Sequence, residues 1–141
     1  MAGELILIVE DNEKNRKLVR DVLQFKGYQA VEAVSAEEGL EIARRQQPAL
    51  ILMDIHLPGM DGLTAFRHLK ADPLTQRIPV IAVTATAMIH DRQKILAAGF
   101  DGYQTKPISV KELTELVARV LAARSGPAGS EASPSPSRDT P

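Results

Sequence analysis

The chain has 141 residues, of which 44% are hydrophobic, and its formal net charge is −1. This length fits one domain with a sizeable core, and the balance of 17 basic and 18 acidic residues argues against nucleic acid as the main ligand. The absence of cysteine excludes disulfides and thiolate metal sites. We find neither an apolar run of about 20 residues that could span a bilayer nor a signal peptide, so we expect no membrane contact and a cytoplasmic location.

Short apolar runs alternate with amphipathic stretches along most of the chain, a pattern typical of repeated strand–helix–strand units. We expect strands near 4–9, 28–33, 50–54, 79–84 and 101–105, and helices near 13–26, 36–47, 62–71, 88–98 and 109–123. The first and third strands are almost wholly apolar, as expected of central parallel strands covered on both faces. The sequence therefore predicts a flavodoxin-like α/β fold, in which a doubly wound five-stranded parallel sheet of order 2-1-3-4-5 carries five helices.

The composition changes at Ser125. From there to Pro141 the chain is rich in Ser, Pro, Gly and Ala, and it has no periodic apolar pattern. Such a segment cannot bury enough apolar surface to offset the entropy cost of ordering it. We therefore predict one domain over residues 1–124 and a disordered tail or linker over residues 125–141. Either the domain is a standalone protein or the tail links it to a further domain.

Polar side chains stand at the ends of four predicted strands. They are Glu10 and Asp11 after the first strand, Asp54 at the end of the third, Thr84 at the end of the fourth and Lys106 after the fifth. Because the carboxyl ends of parallel strands meet at one edge of the sheet, we expect these side chains to converge there. Three neighbouring carboxylates repel one another, and a divalent cation relieves that repulsion. Since all candidate ligands are oxygens, the sequence predicts Mg²⁺ or Mn²⁺ rather than Zn²⁺.

The same edge has the groups that a phosphoryl transfer needs. Asp54 is the candidate nucleophile, and its carboxylate needs no general base because it is already ionised. Lys106 supplies a positive charge and Thr84 supplies a hydroxyl donor. The backbone amides of Ile55 and Ala85 are candidate further donors. Together these groups could stabilise the equatorial oxygens of a phosphoryl group during transfer.

Four motifs in order carry a resemblance to a known family. They are the acid pair Glu10-Asp11, the segment 53–62 with the sequence MDIHLPGMDG, Thr84-Ala85 and Lys106-Pro107. With these motifs at these spacings, roughly residues 4–123 resemble the receiver domain of two-component response regulators. The resemblance implies that Asp54 accepts a phosphoryl group from a histidine kinase or a histidine phosphotransfer protein.

The resemblance also assigns roles to individual residues. It implies that Asp11, Asp54 and the backbone carbonyl of His56 bind Mg²⁺, with Glu10 acting through water. It further implies a cis peptide bond before Pro107. For the side chain of His56, we expect an orientation toward solvent; control of water access to the phosphoryl group is the alternative.

A conformational switch is the third implication of the resemblance. Thr84 moves toward the phosphoryl group, and Tyr103 turns inward to fill the vacated space. This change remodels the face formed by the fourth helix, the fifth strand and the fifth helix. Candidate partner contacts on that face are Met88, Arg92, Ile95, Tyr103 and Val110. The downstream target stays open.

Two other functions fit parts of the pattern. A phosphatase of the haloacid-dehalogenase type also forms an aspartyl-phosphate, but it needs a second aspartate where this chain has His56. A pseudo-receiver, which is an interaction module with a dead phosphorylation site, is the other alternative. The intact set of Asp11, Asp54, Thr84 and Lys106 argues against it. We therefore expect a signalling protein and not an enzyme, apart from self-catalysed acceptance and loss of the phosphoryl group.

Overall fold

The computed structural model describes residues 3–85 and 89–124, over which strands and helices alternate. The strands are β1 (Leu5–Val9), β2 (Gln29–Ala33), β3 (Leu50–Asp54), β4 (Val80–Thr84) and β5 (Gly102–Thr105). The helices are α1 (Glu13–Phe25), α2 (Ala36–Gln46), α3 (Gly62–Ala71), α4 (Ile89–Ala98) and α5 (Val110–Arg124). Each predicted strand and helix is confirmed, with its ends within one residue of the expected positions. The predicted tail over 125–141 lies outside the described residues.

The five strands form one parallel sheet of order β2-β1-β3-β4-β5, which confirms the predicted topology. The register places Val9 of β1 beside Met53 of β3. At the other side of the sheet, Thr84 of β4 lies beside Thr105 of β5. Because neighbouring strands end at the same level, the residues that end or follow them share one edge of the sheet.

The core lies in two layers, one on each face of the sheet, because successive side chains of a strand point to opposite faces. In β1, Leu7 and Val9 face one layer, whereas Ile6 and Ile8 face the other. The first layer joins the sheet to α2, α3 and α4 through Ala36, Ile42, Ala43, Ala65, Phe66, Leu69 and Ile95. The second layer joins it to α1 and α5 through Val19, Leu23, Leu113, Leu116, Val117, Val120 and Leu121. With both faces covered by helices, the sheet is open at the ends of its strands and along the edge strands β2 and β5.

The first residue of α3 lies against the end of β3. A Cβ atom on Gly62 would collide with the backbone oxygen of Asp54 and would lie 2.7 Å from the Cα atom of Ile55. The helix is capped by Asp61, whose side chain accepts a hydrogen bond of 2.8 Å from the amide of Thr64. Glycine at this position therefore lets α3 begin close to the acidic end of β3.

Across residues 3–85 and 89–124, no helix combines the length and the apolar character that crossing a membrane requires.

Candidate functional site

Three carboxylates meet at the ends of β1 and β3, as the sequence predicts. Glu10, Asp11 and Asp54 each offer one oxygen, and these oxygens all lie within 4.8 Å of one another. Glu10 is 4% exposed and Asp54 is 2% exposed, whereas Asp11 is open to solvent. A set of oxygen ligands with one solvent-facing member suits a hydrated Mg²⁺ ion, which keeps several of its waters.

Lys106 joins the acidic cluster from the end of β5. Its Nζ atom lies 3.0 Å from Oδ2 of Asp54 and 3.1 Å from Oε1 of Glu10. Burial by itself lowers the pKa of Lys106, but its hydrogen bonds with Asp54 and Glu10 outweigh burial and raise the pKa above its ordinary value. The amine is therefore protonated at neutral pH and compensates part of the buried negative charge. Its peptide bond to Pro107 is cis, as the resemblance implies.

Glu10 is the carboxylate whose protonation the site changes most clearly. Burial raises the pKa of Glu10 to about 7, and the charge of Asp54 acts in the same direction. The amide of Asn12, which donates to Oε2 of Glu10 at 3.1 Å, and the hydrogen bond from Lys106 partly oppose that rise. One lysine therefore does not fully compensate two buried carboxylates, which leaves the cluster suited to a bound cation.

The backbone donor beside the Asp54 carboxylate is His56, not Ile55. The prediction for Ile55 is wrong, because its amide donates to the carbonyl oxygen of Val83 at 2.9 Å and so extends the pairing of β3 with β4. The amide of His56 instead donates to Oδ1 of Asp54 at 2.9 Å. With Oδ2 contacting Lys106, both oxygens of the buried carboxylate have a donor. The amide of His56 was not among the predicted donors.

Thr84 ends β4 with a fully buried side chain. Its Oγ1 atom lies 3.3 Å from Nε2 of His56. His56 is exposed, as expected, but its ring also contacts Thr84, which the sequence did not predict. The carbonyl of Thr84 accepts a hydrogen bond of 2.8 Å from the amide of Lys106, which joins the ends of β4 and β5. Ala85, the other expected amide donor, is exposed beside this site.

The face formed by α4, β5 and α5 has most of the residues expected there. The guanidinium of Arg92 lies 5.6 Å from the ring centroid of the half-buried Tyr103, and Val110 is exposed. The prediction that Ile95 contacts a partner is wrong, because its side chain is 3% exposed and packs in the core layer beneath α4. Met88 lies outside the described residues.

Comparison with known proteins places this geometry in a family. The model of the response regulator receiver domain matches residues 6–118. The chain belongs to this family. The polar-differentiation response regulator DivK of Brucella ovis is 46% identical to this receiver over 116 residues, which cover 82% of the chain and 94% of DivK.

Two solved structures are also similar to this receiver. The receiver domain of the sensor histidine kinase PA1611 from Pseudomonas aeruginosa PAO1 has a magnesium ion coordinated in its active-site cleft. It is 36% identical, with a TM-score of 0.79, and the match covers 86% of this chain and 99% of that one. A CheY-like receiver domain protein from Methanospirillum hungatei JF-1 is 30% identical, with a TM-score of 0.79 and coverage of 87% and 97%.

Membership of the family gives the general function. Receivers are signalling modules of two-component systems, generally not enzymes, and they bind Mg²⁺ in an acidic pocket. In this receiver, that pocket corresponds to the cluster of Glu10, Asp11 and Asp54. The phosphatase alternative receives no support from the family match.

Proposed function

We propose that this receiver accepts a phosphoryl group on Asp54 from a phosphohistidine donor, with Mg²⁺, and then switches its α4–β5–α5 face for partner binding. The observation that carries this proposal is the environment of the Asp54 carboxylate. It is 2% exposed, its Oδ1 accepts from the amide of His56, and its Oδ2 accepts from Lys106. A buried carboxylate with a donor on each oxygen, beside two further acids, is organised for phosphoryl acceptance.

In the proposed step, an oxygen of Asp54 attacks the phosphorus atom of the donor's phosphohistidine. The new P–O bond forms as the P–N bond breaks, and the imidazole nitrogen of the donor keeps the electron pair and takes up a proton from solvent water. The protonated amine of Lys106 and the amide of His56 already contact the carboxylate, so they can donate to phosphoryl oxygens without large rearrangement. A carboxylate acceptor has no proton to lose on attack, so no general base is required.

Mg²⁺ is the proposed cofactor, with Mn²⁺ as a substitute. Asp11, Asp54 and the backbone carbonyl of His56 would hold the ion directly, and Glu10 would hold it through water. When bound, the ion supplies positive charge that offsets the carboxylates and the phosphoryl oxygens. The support in this chain is the all-oxygen cluster with solvent-facing Asp11, and a 36% identical receiver has magnesium in its cleft.

The proposed output is a change at the α4–β5–α5 face, in which Thr84 moves toward the phosphoryl group and Tyr103 turns inward. A groove of about 540 Å³ lies on this face. Its lining residues include Arg92, Leu96, Tyr103, Glu112 and Arg119. A lining that mixes both charges with the apolar side chain of Leu96 and the ring of Tyr103 suits a protein partner better than nucleic acid. Exposed Val110 extends the face.

We further propose that the receiver spans residues 1–124 and that 125–141 form a tail or linker. The support is that the family match ends at residue 118 and α5 ends at Arg124. The proposed location is the cytoplasm, since a phosphohistidine donor obtains its phosphoryl group from ATP inside the cell.

Intact-mass measurement after incubation with acetyl phosphate tests the proposal. Wild type is compared with Asp54→Asn and with Asp61→Asn, a matched control in the same loop at which asparagine still caps α3. We expect one phosphoryl adduct on wild type and on Asp61→Asn, only with Mg²⁺, and none on Asp54→Asn. An equal adduct on Asp54→Asn would refute the assignment of the acceptor.

Absence of any adduct calls for the stable mimic beryllofluoride, because a phosphorylated state can be too short-lived to detect by mass. If wild type with Mg²⁺ does not bind beryllofluoride either, the domain acts without phosphorylation, as a pseudo-receiver. Mg²⁺-dependent binding that Asp54→Asn abolishes supports the proposal as directly as the adduct does.

A further inference from the structure

The side chain of His56 has no role in the phosphoryl transfer proposed above, although it contacts a residue of the site. Its Nε2 atom lies 3.3 Å from Oγ1 of Thr84. The exposure of the two residues differs sharply, since Thr84 is 0% exposed and His56 is exposed. A surface imidazole thus reaches a buried hydroxyl that the conformational switch requires.

The backbones of His56 and Thr84 are fixed by hydrogen bonds within the sheet and to the carboxylate of Asp54. The amide of His56 donates to Asp54 at 2.9 Å, and the preceding amide of Ile55 donates to Val83 of β4. On the other strand, the carbonyl of Thr84 accepts from the amide of Lys106. Because both residues are anchored through their backbones, their side chains start from fixed positions that allow the 3.3 Å contact.

We propose that His56 is a positioning residue that holds the Thr84 hydroxyl in the resting receiver. Phosphorylation then exchanges the contact with His56 for a hydrogen bond from Thr84 to the phosphoryl group. This inference rests on the proposed phosphorylation of Asp54. It does not depend on which imidazole nitrogen carries the proton, because rotation of the hydroxyl toward Asp54 breaks the contact in either tautomer.

The size of the effect follows from the usual contribution of a neutral hydrogen bond. Such a bond changes an equilibrium constant by about 3- to 10-fold. The hydrogen bond between His56 and Thr84 stabilises the resting state alone. Its removal therefore destabilises the resting state and shifts the equilibrium toward the phosphorylated conformation. The affinity for a phosphoryl mimic should therefore rise when the imidazole is replaced by a ring that cannot form a hydrogen bond.

Titration with beryllofluoride in the presence of Mg²⁺ measures this effect. We expect His56→Phe to bind about 3- to 10-fold more tightly than wild type. His56→Gln, which restores a hydrogen-bonding group, should return the affinity toward that of wild type. His68→Phe makes the same change at an exposed histidine of α3 and should have no effect. Unchanged or weaker binding by His56→Phe would overturn the inference.

A double-mutant cycle shows whether His56 acts through Thr84. Thr84→Val removes the hydroxyl while keeping a β-branched side chain, and by itself it should weaken binding of the mimic. In that background, the gain from His56→Phe should disappear. An equal gain with and without the hydroxyl would mean that His56 acts on the phosphoryl site directly, which contradicts the proposed positioning role.

The nitrogen NMR resonances of the imidazole rings separate this inference from the proposed function. In the unphosphorylated protein, Thr84→Val should shift the Nε2 resonance of His56 and leave that of His68 in place. Beryllofluoride with Mg²⁺ should shift the wild-type His56 resonance in the same direction.

The two failures have different signatures. If wild type does not bind beryllofluoride, the proposed function fails, and the exchange at Thr84 fails with it. If wild type binds the mimic but Thr84→Val leaves the His56 resonance unmoved, only the role of His56 is overturned.

Discussion

The two halves of the functional edge are held in different ways. The acceptor half comprises the ends of β1 and β3 together with the side chain of Lys106, which reaches them from the end of β5. There Glu10 and Asp54 are buried, and both pair with Lys106 at 3.0–3.1 Å. In the switch half, at the ends of β4 and β5, Thr84 and Tyr103 contact side chains that are themselves exposed.

This difference separates the two tasks of a receiver. Interactions between buried charges are worth several kcal/mol when one partner is removed, whereas contacts with exposed side chains are worth about 1 kcal/mol or less. We therefore propose that the acceptor half is pre-organised for phosphoryl transfer, and that the switch half is the part that changes its arrangement on phosphorylation. Changes in the first half should affect stability, and changes in the second should affect the balance between conformations.

The largest loss of stability is expected for Lys106→Ala. Removal of the amine leaves the carboxylates of Glu10 and Asp54 buried without their positive partner, and the metal-free protein should lose about 3 to 5 kcal/mol. Mg²⁺ should restore part of this loss. Urea unfolding with and without Mg²⁺ measures both quantities, and Lys17→Ala, at an exposed position of α1, is the control. A loss no larger than that of the control would mean that the acceptor half is not held by buried charge.

A smaller effect, confined to a pH range, is expected at Glu10. Its pKa in the folded protein is about 7, above the ordinary value of 4.5, chiefly because of burial. The folded protein therefore binds the proton more tightly than the unfolded chain does. This contribution to stability is fully present below pH 4.5 and is lost as the pH rises to about 7. The full shift corresponds to about 3 kcal/mol.

The comparison of wild type with Glu10→Gln isolates that contribution. In the absence of Mg²⁺, the stability of wild type should fall relative to Glu10→Gln between pH 4.5 and about 7. Mg²⁺ should reduce this fall, since the ion favours the ionised carboxylates. Parallel stability curves for the two proteins in the absence of metal would show that burial does not control the protonation of Glu10.

The fold and the acceptor half were predictable because they depend on local pattern and strand order. Apolar runs mark the strands, and two almost wholly apolar strands indicate the centre of a parallel sheet. That order alone brings Asp54 beside Glu10. The same reasoning could have excluded Ile55, because amides along a parallel strand point alternately to the two neighbouring strands. The amide of Ile51 donates to the carbonyl of Pro79, just before β4, and the amide of Ile55, four residues later, donates to the carbonyl of Val83 in β4.

The switch half was less predictable because it depends on side-chain directions across the sheet. His56 and Thr84 are 28 residues apart, and only the register of β3 with β4 brings them together. The burial of Ile95 depends on the rotation of α4 about its axis. The sequence pattern of that helix does not define a strong apolar face, so the rotation was not predictable.

The smallest effect on stability is expected for Arg92→Ala. The contact of its guanidinium with the ring of Tyr103 is exposed, and its loss should cost about 0.5 to 1 kcal/mol. The ring should then turn inward more readily, because one contact that favours its present position is gone. In a Tyr28→Phe background, Tyr103 is the only tyrosine and the chain has no tryptophan, so tyrosine fluorescence reports this change.

Arg119→Ala is the matched control, since Arg119 lines the same groove and is exposed. We expect it to leave both stability and the fluorescence of Tyr103 near those of the background protein. The comparison with Lys106→Ala then tests the difference between the two halves. If Arg92→Ala costs as much stability as Lys106→Ala, the switch half is held as firmly as the acceptor half. If Arg92→Ala leaves the fluorescence of Tyr103 unchanged, the contact with Arg92 does not control the position of the ring, and the proposed change at the α4–β5–α5 face would need another trigger.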